Sequence, residues 1–260
     1  MKKIVVTGKG GVGKTTIIAT LSRLLSRDGY RVLVIDTDPS MNLAMSMGVP
    51  LSSALTLAAH KAEIAGGADL DDDGDGDQHH SGRIDFEGVL RDFTVQTSDK
   101  VRLVVMGTIP HGGAGCICSA IAMVKLLVEH LAANDGRYDF VIVDSQAGSE
   151  ILGRGLAADY DYNVVVTEAV PKALDVARHV LKLAADLKVR QQLVVVNKTR
   201  ADSDAARAAA ALGVAGRDVF AVRQDEIVRK ADDEVIQLLD LAPDSAVVGD
   251  IRRIKDAISG

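Results

Sequence analysis

Ile4-Val5-Val6-Thr7-Gly8-Lys9-Gly10-Gly11-Val12-Gly13-Lys14-Thr15-Thr16-Ile17-Ile18-Ala19 passes from an apolar, strand-like run through a glycine-rich turn into a helical pattern. Within it, Gly8–Thr15 satisfies G-x-x-x-x-G-K-[ST], the phosphate-binding loop, in the strand–loop–helix context that the motif requires. The glycines let successive backbone N–H groups turn inward around a polyphosphate. The helix that follows adds its positive N-terminal end. Gly10, Gly11, Val12, Gly13, Lys14, Thr15 and Thr16 are therefore the expected nucleotide-binding residues. Lys14 would meet the β- and γ-phosphates and the Thr15 hydroxyl would ligate Mg²⁺. A second lysine, Lys9, is not demanded by the loop itself.

Outward from this stretch, apolar runs alternate with helix-period segments. Ile4–Thr7, Val32–Ile35, Val101–Met106, Phe140–Val143, Asn163–Val166, Leu193–Val196 and Val219–Val222 read as strands. Several are unbroken Val/Ile/Leu runs, the pattern of strands buried on both faces of a parallel sheet. Helices are expected near 14–28, 119–133, 150–158, 171–188, 203–212 and 246–258. The fold class this predicts is α/β: a doubly wound, mostly parallel sheet flanked by helices on both faces, with ligands at the carboxyl ends of the strands. The whole chain, 1–260, reads as a single P-loop ATPase domain.

Composition agrees. In 260 residues, 47% are hydrophobic, enough for a sizeable core. A net charge of −6 argues against generic binding of nucleic acid or anionic membranes. No apolar run approaches the roughly 18 residues of a membrane span, and Met1-Lys2-Lys3 leads into the phosphate loop rather than a signal-peptide core. A cytoplasmic location is expected. One segment departs from the pattern: 66–82 is densely acidic and nearly free of apolar residues, so a mobile insertion is expected there. Asp71, Asp73, Asp75 and Gly76 resemble the opening of an EF-hand loop, but Gly82 stands where the bidentate Glu belongs. His79 and His80 could hold a divalent ion only loosely.

Each later strand should deliver its next residues to the phosphates. After Val32–Ile35 come Asp36 and Asp38, the second followed by Pro39; Asp38 is the candidate for orienting the attacking water and Asp36 a further site residue. After Phe140–Val143 comes Asp144, the arrangement that holds Mg²⁺ through its water shell. After Leu193–Val196 comes Asn197-Lys198-Thr199-Arg200. GTPases carry N-K-x-D here, with an Asp accepting from guanine; Arg200 can only donate. Asn197 can both donate to and accept from an adenine edge, so ATP is the expected nucleotide.

Lys9 followed by Gly10-Gly11-Val12-Gly13-Lys14-Thr15-Thr16 resembles the deviant Walker A motif of the MinD/ParA/nitrogenase-iron-protein ATPases. Asp38-Pro39 resembles that family's switch I and Asp144 its switch II. The resemblance implies a homodimer with ATP between its subunits, and a catalytic Lys9 that reaches the partner's nucleotide as an arginine finger would. Within the family, Gly115-Cys116-Ile117-Cys118-Ser119 discriminates. Two cysteines one residue apart can present both thiolates to one ion, and a two-fold dimer would supply four. Four thiolates suit tetrahedral Zn²⁺, square-planar Ni²⁺ or an iron–sulfur cluster. The pair precedes the helical run Ala120–Leu131, whose N-terminus would lower the thiol pKa.

This C-x-C and its glycine-rich lead are similar to the CooC-type ATPases that assist nickel insertion into carbon-monoxide dehydrogenase. What the resemblance implies is a homodimeric metallochaperone that binds nickel (or zinc) through Cys116 and Cys118 and delivers it to a client metalloenzyme such as carbon-monoxide dehydrogenase. Slow ATP hydrolysis would open the dimer. The alternatives are a partitioning or positioning switch of the ParA/MinD type and an iron–sulfur reductase component. For the positioning switch, Ile251–Ile258 has the spacing of a basic amphipathic helix, although a last helix docked on the sheet gives the same pattern.

Overall fold

A computed structural model describes residues 1–50, 54–60, 63–64, 84–108, 118–134, 136–145, 150–153 and 155–260. Eight strands form one sheet in the order β3-β4-β2-β5-β1-β6-β7-β8. They are β1 (Lys2–Gly8), β2 (Val32–Asp36), β3 (Thr94–Gln96), β4 (Arg102–Val105), β5 (Phe140–Asp144), β6 (Tyr162–Thr167), β7 (Gln191–Thr199) and β8 (Val219–Arg223). All neighbours pair in parallel except β3 and β4, where Thr94 lies opposite Val104. The chain leaves β1 toward β2 and later returns past β1 to β6, so the loop after β1 sits where the strand order reverses. That is where an open α/β sheet binds its ligand.

The central strands are buried on both faces, and their side chains alternate between two cores. Ile4, Val6, Val34, Ile142 and Val164 face α1 (Lys14–Arg27) and the C-terminal helix α10 (Ala246–Ser259). Val5, Leu33, Ile35, Val141 and Val165 face α4 (Cys118–Ala133) and α6 (Pro171–Asp186). Each such Val or Ile contributes roughly 1.5–3 kcal/mol relative to exposure, which is why unbroken apolar runs mark these strands. All seven expected strands are present; β3, only three residues and partly exposed, has no such run to announce it.

The expected helix over 150–158 is shorter. Its helix, α5 (Glu150–Gly153), stops because Gly155 takes φ +71° and its N–H bonds Leu152 O at 2.9 Å, closing a turn. Among the described residues, short helices that went unexpected include α2 (Asn42–Ser46), α3 (Phe86–Asp92), α8 (Glu226–Asp233) and α9 (Leu238–Leu241). Two carry side-chain caps. Asp85 accepts from Gly88 N at 3.0 Å and Asp225 from Ile227 N at 3.0 Å. The expected helix over 203–212 is α7 (Ser203–Leu212).

At the C-terminus Ile251, Ile254 and Ile258 are buried in the core that α1 shares. The apolar stripe of the expected amphipathic helix is thus spent on the protein's own interior. Among the described residues no helix is long and apolar enough to cross a membrane. Segment 66–82 and Cys116 lie outside the described residues, as does the side chain of Cys118, the first position of α4.

Candidate functional site

The loop from Lys9 to Gly13 is shaped by its neighbours as much as by its glycines. Gly8 adopts φ +138° against the carbonyl of Val166, where any Cβ would collide. Gly13, at φ +95°, is the N-cap of α1 and its carbonyl accepts from Ile17 N at 3.2 Å. From outside, two side chains at the end of β7 grip the loop's carbonyls. Asn197 Nδ2 donates to Val12 O at 2.7 Å, and Lys198 Nζ donates to Gly11 O at 2.8 Å and to Glu168 Oε1 at 2.7 Å. With those carbonyls held outward, the loop's N–H groups are left to face an anion. Lys198 takes a left-handed φ of 54° at this grip.

Lys14 is buried, and its Nζ donates to Gly8 O at 3.2 Å and Lys9 O at 3.4 Å. Burial lowers its pKa, and Asp144 and Asp38 pull it back up. Lys9 is exposed at the rim.

Asp36 and Asp144 end adjacent strands and lie opposite each other in the β2–β5 register, with Val6 of β1 opposite Asp144 on the other side. Both are buried. Burial raises the Asp36 carboxyl to about 7, against the pull of the Asp38 amide; Asp38 N–H donates to Asp36 Oδ1 at 3.0 Å. The Asp144 carboxyl is pushed well above its ordinary range, first by burial and then by Asp36, while Lys14 and the Thr15 side chain oppose the rise. Asp36 Oδ2, Asp144 Oδ1 and Ser145 Oγ are buried with no hydrogen-bond partner among the described residues. Buried polar atoms without partners are costly, and the facing carboxylates Asp36 and Asp144 suit a hydrated cation. The donor set, two carboxylates with the Thr15 hydroxyl against Asp144, is all oxygen and fits Mg²⁺.

Asp38 is half-buried two residues beyond the strand. Its Oδ1 accepts from Ser40 N at 2.9 Å and Ser40 Oγ at 2.5 Å, and Met41 N donates to its carbonyl at 2.9 Å. Thr37 ties this turn to β5, its Oγ1 donating to Asp144 O at 2.5 Å. The two strand ends that would meet the γ-phosphate are therefore stitched together.

Sequence reasoning placed Asn197 on the nucleotide base; here its amide donates to the loop, and the residue lines a cleft of about 410 Å³ beside Gly11, Gly13 and Thr16. The far wall of that cleft, Gln224, Asp225 and α8, was missed. The signal existed: Gln224 and Asp225 come just after Arg223 at the end of the Val219–Val222 run, much as Asp36 and Asp144 come at the ends of theirs. Arg200 turns away to Gln224 Oε1 at 2.6 Å. Lys198 and Glu168 were also missed, since nothing in one sequence pairs residues 30 apart.

The CobQ/CobB/MinD/ParA nucleotide-binding domain matches residues 3–239. The chain is 35% identical over 208 residues to the carbon monoxide dehydrogenase accessory protein CooC of Rhodospirillum rubrum, covering 78% of this chain and 76% of that protein. It is 34% identical over 206 residues to an uncharacterised ATP-binding protein of Methanocaldococcus jannaschii, covering 76% and 75%. Among solved structures it is similar to the septum site-determining protein MinD with Mg-ADP from Pyrococcus horikoshii, at a TM-score of 0.72 and 21% identity over 99% of this chain and 95% of that one. MinD of Pyrococcus furiosus gives a TM-score of 0.73 at 21% identity, covering 100% and 99%. At that identity the likeness speaks to the fold alone.

Proposed function

The chain is an ATPase that belongs to the CobQ/CobB/MinD/ParA nucleotide-binding family, and we propose that it works as a homodimeric metallochaperone. The observation that carries this reading is a C-x-C pair, Cys116 and Cys118, in a chain 35% identical to CooC over 208 residues. ATP would close two copies face to face, and the two pairs would together offer four thiolates to one ion, nickel or zinc. Hydrolysis would loosen the interface and release the ion to a client metalloenzyme, carbon-monoxide dehydrogenase or one like it. For ATP to drive this, the closed state has to bind metal more tightly than the open one.

At the phosphates, Lys14 would leave the carbonyls of Gly8 and Lys9 for phosphate oxygens, a short move for an ammonium already at the loop. Thr15, Asp144 and Asp36 would hold Mg²⁺, which supplies positive charge against the phosphates. Asp38 would orient the attacking water. Lys9, exposed at the rim, would reach across to the partner's nucleotide. Gln224 and Asp225 would line the cleft that takes the base.

The MinD-like fold favours a second reading, a positioning switch on a membrane or partner. The residues its terminal helix would insert, Ile251, Ile254 and Ile258, are instead packed inside, which weighs toward the chaperone. Anaerobic titration with Ni²⁺ and Zn²⁺ separates the two readings. One ion per two chains, lost in Cys116→Ser/Cys118→Ser, supports the chaperone; unchanged binding in that double variant removes it.

A further inference from the structure

At the amino ends of β2 and β4, the opposite end of the sheet from the phosphate loop, a cleft of about 750 Å³ opens between the end of α1, α3 and the approach to β4. Five of its lining side chains are cationic, Arg31, Arg91, Lys100, Arg102 and Arg137, against one carboxylate, Glu87. In a chain of net charge −6 this is a local concentration. Three of the cations are answered: Arg31 by Asp139 at 2.7 Å, Arg91 by Asp92 at 2.8 Å and Arg137 by Glu87 at 2.5 Å. The side chains of Lys100 and Arg102 have no ion pair or hydrogen bond among the described residues.

A second observation concerns how Lys100 reaches the cleft. Asp99 and Lys100 both adopt left-handed backbone, φ 54° and 62°, which L-residues rarely do in succession. The turn is imposed from α1. Arg23 Nε and Arg27 Nε both donate to Asp99 Oδ2, at 2.7 and 2.9 Å, and Ser26 Oγ donates to Asp99 O at 2.5 Å. Val101 is fully buried, so in the extended chain that follows, Arg102 points the other way, outward, and Lys100 is exposed at the turn before it. Strain held in place by surrounding contacts is a mark of ligand clamps.

We propose that this cleft binds a small, multiply charged phosphate compound, with Lys100 and Arg102 as its first contacts and the three paired arginines around them. Its size falls within the range of small-molecule sites, about 300–1,000 Å³. Guanidinium forks match phosphate oxygens two at a time. Tyr138, at the wall, is a neutral hydroxyl donor: burial pushes its pKa up, against the pull of Arg102 and Arg137. The site is separate from the nucleotide site and does not depend on the chaperone reading.

The test is calorimetric titration of inorganic pyrophosphate into the full chain with the phosphate loop saturated by Mg-ADP. Saturable binding should persist under ADP and weaken about tenfold or more in Arg102→Ala. Lys100→Gly should weaken it similarly while leaving thermal stability unchanged or raised, since glycine relieves the left-handed backbone. ADP affinity should be untouched in both variants. The proposal is overturned by no binding beyond the phosphate loop, by binding that neither variant alters, or by tighter binding of a poly-aspartate peptide than of pyrophosphate.

Discussion

Replacing Asn197 by alanine separates gripping the loop from reading the base. Its Nδ2 donates to Val12 O at 2.7 Å in a half-buried setting. Losing such a bond costs about 1 kcal/mol net, and up to about 3 when the acceptor is left buried without a partner. Water can reach this carbonyl in part, so a loss of about 1–2 kcal/mol is expected, or roughly five- to thirtyfold in nucleotide affinity. Because the loop holds phosphates and not the base, ATP and GTP should weaken by the same factor. Asn197→Asp should be worse than alanine, since a carboxylate cannot donate to a carbonyl and repels it. The assay is calorimetric titration of both nucleotides with Mg²⁺ on wild type and the two variants. A selective loss of ATP binding with GTP unchanged would refute the grip and restore Asn197 as an adenine reader.

Other substitutions follow from the same geometry. Gly8→Ala should leave little soluble protein, because the new methyl meets Val166 O at a φ that alanine avoids; soluble yield and circular dichroism of the residue report it. Asp250 is buried and accepts from Arg223 N and Nε at 3.0 and 2.8 Å and from Arg253 at 2.8 Å. Since both arginines are half exposed, Asp250→Ala should cost about 2 kcal/mol rather than the 3–5 of a fully buried pair, read from urea midpoints at neutral pH. Burial raises the Asp250 carboxyl, but Arg223 outweighs it and the net pKa is lowered. That stability is therefore complete above the ordinary carboxylate pKa and lost as pH falls below about 4; the alanine variant should lack this acid-side loss. Lys9→Ala should bind ATP about as tightly in one copy yet fail to dimerise on ATP and lose most turnover, seen by light scattering and phosphate release. Normal dimerisation and turnover would count against a role in trans.

What could be read in the sequence is what repeats or clusters locally. The phosphate loop and the strand-end residues Asp36 and Asp144 come together because a parallel sheet aligns the carboxyl ends of apolar runs that are visible one by one. The third such case, Gln224-Asp225 after β8, follows the same rule and was within reach. The Lys198–Glu168–Gly11 grip was not, since it depends on β7 lying beside β6. Nor was the early stop of α5, where Gly155 takes a left-handed φ that the apolar spacing over 150–158 does not reveal. The terminal helix illustrates the limit in another form. Its i, i+3, i+7 stripe fits a membrane surface and a protein core equally well, and only packing against α1 and β8 decides.

The most direct test of the account is the anaerobic affinity for Ni²⁺ measured with Mg-ATP and again with Mg-ADP, with chain mass followed in parallel. If closing on ATP assembles a four-thiolate site from Cys116 and Cys118 of two copies, Ni²⁺ should bind at one ion per dimer. It should show thiolate-to-metal absorption and bind about tenfold or more tighter with ATP, within the usual range of coupling between sites. Equal affinity in both nucleotide states, or binding by a monomer, would contradict it.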